Sequence, residues 1–193
     1  DFEGTILPTR ADRYFNVDGE RVDLSAEQYV TYAKEKGQRS YALMQKITSA
    51  PWYAGADDAV KAEVITAAYQ VANEDAKKVV FPDYVSKNNV YLKAVAAEEV
   101  GLFAGDYLYL RAITSDIVGW HYKEGHSKAG KSITNSSGYQ KANAIYNSPV
   151  VLNDSQRTFM YDVLDVGKDV RKANPALVKQ NVEQMRGLAA ETQ

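Results

Sequence analysis

The sequence predicts a mainly α-helical fold, an irregular multi-helix domain with a small β-hairpin near its N-terminus. Three observations carry this. Two short alternating segments, RYFNV and ERVDL, flank Asp18-Gly19, and a two-residue Asp-Gly loop favours the tight hairpin turn because Gly accepts positive φ. Ser25 and Gln28 form a capping box immediately after it, where two orphan N–H groups of a helix start are satisfied reciprocally. Val60, Val64, Ala67, Ala68 and Val71 recur at three- and four-residue spacing, the stripe of a helix that buries one face.

The elements follow in order. Residues 1–12 lack periodicity and contain Gly4 and Pro8, which reads as an arm or linker; residues 13–193 form a single helical domain. An isolated hairpin is marginal, so the hairpin over residues 13–24 must lie against a helical body. A first helix is expected over residues 26–47, with a bend at Gly37, whose cost in a helix interior is about 1 kcal/mol. Pro51 and Trp52 end it. A second helix starts at Asp57 and reaches Val80 before Pro82, and a third, over residues 83–100, carries Tyr84, Val90, Tyr91, Val95 and Ala96. Asn88-Asn89 weakens its middle. Gly101 closes it as a C-terminal cap. A short helix over residues 107–114 precedes a long polar loop, residues 116–138, rich in Gly, Ser, Lys and Asn. Short helices over residues 139–147 and 154–164 follow, the second capped by Asn153 or Asp154. Asn174 and Pro175 open a last helix to Ala190, with Pro where its missing N–H costs nothing.

Composition narrows the functional classes. A length of 193 residues suits one domain with a sizeable core. With 23 basic and 25 acidic residues, a net charge of −2 lacks the basic excess of a nucleic-acid binder. No cysteine excludes disulfides and thiolate metal sites, and with His121 and His126 alone a zinc site would need carboxylates. No metal or cofactor is therefore expected. No segment approaches twenty apolar residues and the start is not that of a secretion signal, which reads as a soluble module. The missing initial Met is read as a fragment of something longer, or as a processed tag.

Several residues invite chemical readings. Gly125, Gly130, Lys131 and Ser132 in GHSKAGKS match the spacing of a phosphate loop, the candidate nucleotide site. Such a loop sits between a buried strand and a helix. The preceding IVGWHY can be read as extended, but Thr134 to Gly138 make a poor helix start, and no parallel-sheet core is visible. His121, Glu124 and His126 lack an orienting third group, which leaves no catalytic constellation. Asp57-Asp58 lies where a helix start favours negative charge, whereas Glu98-Glu99, near a helix C-terminus, is electrostatically anomalous. Fourteen tyrosines stand out. Tyr14, Tyr29, Tyr32, Tyr41, Tyr107, Tyr109, Tyr139 and Tyr146 read mainly as core-boundary residues, with a partner surface as the alternative.

The order of these segments resembles a helical domain of very large phage and prophage proteins, the multidomain polyvalent proteins. The residues that carry it are LPTRADRYFNVDGERVDLSAEQYVTYAKEKGQ, AGADDAVKAEVITAAYQVANEDAK, LYLRAITSDI and LNDSQRTFMYDVLDVGKDVR. The resemblance implies a non-enzymatic structural or interaction module of a virion-associated protein, placed in the virion or, after entry, in the host bacterial cytoplasm. It implies as partners other domains of the same protein, virion proteins or another copy. A host protein is the alternative, in a host-directed effector. It supplies no catalytic residues. Partner contact is expected at Trp120, His121, Tyr122, Lys128 and Lys131, in the long loop.

Overall fold

The computed structural model describes residues 9, 12–17, 19–123 and 137–166. Among them the fold is mainly α, with six helices and one two-stranded antiparallel hairpin at the N-terminal end. Strands β1 (Tyr14–Val17) and β2 (Glu20–Asp23) pair Phe15 with Val22, and Gly19 takes a φ of 80° in the turn. Phe15 is the anchor. It is buried edge-on against Tyr32 and Phe81, with the Lys77 ammonium over its ring.

The Ser25–Gln28 capping box forms, with bonds of 3.1 and 2.9 Å, and opens α1 (Ala26–Thr48). This helix is continuous through Gly37, as the expected span of residues 26–47 requires, because one glycine lowers helix propensity without removing a hydrogen bond. Helix α2 (Asp58–Val80) buries the whole predicted stripe, and Ala72 and Ala76 besides. It is the central element and packs against α1, α3 and α4.

Helix α3 (Asn89–Glu99) is shorter than expected. The Asn88-Asn89 pair is its start, since the Asn88 side chain accepts from the Tyr91 N–H at 3.0 Å and caps the first turn. At the other end Leu102 N–H bonds to Ala97 C=O and Gly101 N–H to Glu98 C=O, with Gly101 at φ 78°, a Schellman motif. The Glu98 anomaly resolves here. Its carboxylate accepts from the Ala104 N–H at 3.0 Å, serving the orphan donors of the next helix rather than its own.

Helix α4 (Ala104–Lys123) corrects the largest expectation: it begins before residue 107 and takes in residues 116–123, the first third of the expected loop. Tyr107, Leu108, Tyr109 and Leu110 are all buried, so α4 is enclosed on several sides and shows no one-sided stripe to read. Thr114, a polar residue in its middle, returns its hydroxyl to the Leu110 and Arg111 carbonyls. Helices α5 (Ser137–Tyr146) and α6 (Asp154–Val163) follow, the latter opened by an Asn153–Gln156 capping box. Ile145 and Met160 bring them into the core formed by Ile47, Trp52, Val64, Ala68, Leu102 and Tyr107. The expected last helix and most of the arm lie outside the described residues.

Candidate functional site

Three consecutive residues of α2 organise the polar side of the molecule. Asn73, Glu74 and Asp75 project about 100° apart around the helix, and each accepts a tyrosine hydroxyl from a different segment. Tyr32 of α1 donates to Asn73 Oδ1, Tyr84 of the connection before α3 donates to Glu74 Oε2 at 2.7 Å, and Tyr91 of α3 donates to Asp75 Oδ1 at 3.0 Å. Glu74 is buried and has Lys77 Nζ 3.7 Å away, so its charge is both hydrogen-bonded and paired. Burial, helped by the neighbouring Tyr29 and Glu74, pushes the Tyr32 hydroxyl up to about 12; burial and the Asp75 carboxylate do the same to Tyr91. Both are protonated donors at neutral pH. The arrangement fastens α1 and α3 to α2.

Hollows among the described residues include one of about 430 Å³ beside Thr66, Gln70 and Arg111. A larger groove, of about 590 Å³ between α1 and α2, is lined by Ala33, Gly37 and Ser40 together with Tyr29, Tyr32, Tyr41, Met44 and Tyr69. Tyr41 and Tyr69 are 66% and 48% exposed. A side chain at Gly37 would meet nothing within 4 Å. Large apolar rings with polar tips, held on rigid helices, suit binding of another macromolecule. The smaller cleft, about 260 Å³, lies between α1 and α3 over Val71 and Ala72 of α2. Among the described residues there is no group of three or more His, Asp or Glu able to hold a metal, and no helix is long and apolar enough to cross a membrane.

The residues singled out from sequence fare unequally. Trp120, His121 and Tyr122 stand in the last turns of α4, on a helix rather than in a loop. Gly125, Lys128, Gly130, Lys131 and Ser132 lie outside the described residues, and so does His126. The reading of residues 117–122 as an extended lead-in to a phosphate loop is overturned, since α4 is helical through Lys123. The tyrosines divide. Tyr107 and Tyr109 are core, Tyr109 stacking on Trp52 at 4.3 Å, while Tyr29, Tyr32 and Tyr41 meet at the groove. Tyr69 was missed; its signal was position, an aromatic residue on α2 off the buried Val64–Ala68–Val71 stripe.

No protein-family model, curated protein or solved structure matches this chain.

Proposed function

We propose that this chain is a non-enzymatic interaction module, a helical domain of a large phage-derived, virion-associated protein, which works by presenting a surface. The observation that carries the reading is the tyrosine-lined groove of α1 and α2, which four tyrosines and a methionine line together with Gly37, open where a side chain would stand. Tyrosine and methionine are enriched where protein surfaces meet, because they give large contact area with little polar desolvation. The resemblance of the segment order to the polyvalent-protein domain supplies the setting. Its partner is then a neighbouring domain of the same protein, a virion component or another copy.

A photo-reactive benzoyl-phenylalanine at position 41 tests this, with the same group at Val151, 91% exposed, as the control for non-specific reaction. Adducts with virion proteins formed at position 41 and not at 151 are expected. Adducts formed only with host cytoplasmic proteins would favour a host-directed effector, and equal labelling from both positions would reject the groove as the contact surface.

A further inference from the structure

The tyrosine-lined groove is a track along one helix. Tyr29, Ala33, Lys36, Ser40 and Met44 recur at three- and four-residue steps on one side of α1, so the groove follows that helix for about 22 Å. Tyr41 and Tyr69 are the most exposed of its rings.

Its lining offers hydrogen-bond donors without strong acceptors. Lys36 brings an ammonium, and no carboxylate lines the groove among the described residues. The Tyr41 hydroxyl accepts from Gln45 Nε2 at 2.7 Å, which leaves its own hydrogen to donate. Ser40 already donates to the Lys36 carbonyl at 2.6 Å, Tyr32 donates to Asn73, and the carbonyls within α1 are bonded along the helix. A suitable occupant is therefore apolar and carries acceptors with few donors. A helix satisfies its carbonyls internally and would leave the groove's donors unmatched, whereas an ordinary strand brings an N–H for every C=O and needs acceptors that the groove lacks. A proline-rich segment meets both conditions. Its carbonyls have no internal partners, its prolines have no N–H, and its extended conformation exists before binding, which lowers the ordering cost. At about 3.1 Å per residue, about seven residues match the length of the track. Aromatic-lined grooves are general receptors for such segments.

We propose that the occupant of the groove is a proline-rich segment in the polyproline conformation, with its rings on Tyr41 and Tyr69 and its carbonyls accepting from the Tyr41 hydroxyl and the Lys36 ammonium. This rests on the groove being the contact surface and adds the chemistry of the partner. Another copy of this sequence is not the source, because its five prolines, Pro8, Pro51, Pro82, Pro149 and Pro175, stand far apart.

The test titrates the 193-residue chain into fluorescein-labelled decaproline and follows fluorescence anisotropy. A Gly-Ser peptide of the same length and an amphipathic helical peptide of Leu, Lys and Glu are run beside it. Decaproline is expected to saturate and to bind at least about tenfold more tightly than either, and Tyr41→Ala with Tyr69→Ala should weaken it at least about tenfold. Both side chains are exposed, so the double variant keeps the fold, which circular dichroism checks. Tyr41→Phe keeps the ring and removes the donor, and should weaken binding about two- to tenfold. Tighter binding of the helical peptide, lost in the double variant, overturns the proline-rich occupant and leaves the groove standing as a contact surface. Decaproline binding that the double variant does not change overturns the proposal, as does no preference for decaproline over Gly-Ser. If none of the peptides binds, the proposal falls as well, and cross-linking from position 41 judges the groove separately.

Discussion

Tyr107 and Asp106 are neighbours at the start of α4 with opposite problems. Tyr107 is fully buried on the inner side of the helix, next to Phe159, and its hydroxyl finds no hydrogen-bond partner among the described residues. Tyr107→Phe removes an unsatisfied group, and we expect it to raise stability by about 1 kcal/mol in urea unfolding at neutral pH. Burial pushes the Tyr107 hydroxyl to about 12, as with Tyr32 and Tyr91. A folded-state value raised above 10 means that the unfolded chain loses its protons first. Stability should thus be full below pH 10 and fall between pH 10 and about 12, with a shallower fall in Tyr107→Phe. Asp106 accepts from the Trp52 indole N–H at 2.8 Å, but burial outweighs that bond and raises its carboxyl above the usual value. Its contribution is greatest below the unfolded value near 3.8 and is lost as the group ionises with rising pH. Asp106→Asn keeps an acceptor for Trp52 without the charge, so it should be more stable than wild type at pH 7 and lose that advantage on acidification, as read by melting temperature.

Two helical glycines separate packing from propensity at the scale of the element. Gly37 sits in the middle of α1 with open space where a side chain would go, so nothing offsets its poor helix propensity within the described residues. Gly37→Ala should stabilise the protein by about 0.8–1 kcal/mol. If the groove is the contact surface, the same substitution should weaken partner binding while strengthening the fold, a pairing that thermal melts and cross-linking yield read independently. Gly105 has the reverse situation. A Cβ there would run into the Phe103 ring and come within 2.9 Å of Ile47 Cγ1, in the core. Gly105→Ala should cost about 1–3 kcal/mol through overpacking despite the better helix former. The extent of α4 belongs to this scale too: residues 116–123 hold Gly119 and several polar residues, but no proline, and composition alone does not end a helix.

For the molecule as a whole, α2 is the shared neighbour, with α1, α3 and α4 around it and small residues, Ala67, Ala68, Ala72 and Ala76, allowing close approach. The hairpin is attached from outside the main core cluster, through Phe15 and Leu24, which are buried. Phe15→Ala should release the hairpin without dissolving the helices. In hydrogen exchange the amides of residues 14–23 should lose protection while α2 and α4 keep theirs, and the global transition should shift by less than the about 3–5 kcal/mol of a Phe truncated inside a core.

Local chemistry was legible in the chain because it is written over short spans. The Asp-Gly hairpin, the Ser25–Gln28 box, the stripe of α2 and the Gly101 cap each depend on side chains and backbone groups within a few residues of one another. The convergence of Tyr32, Tyr84 and Tyr91 on three successive acceptors, the use of Glu98 by the following helix and the meeting of Tyr41 with Tyr69 in one groove were decided by tertiary packing. Those contacts join residues on different elements, and the direction in which a helix presents a side chain acquires a partner only when the neighbouring helix is in place.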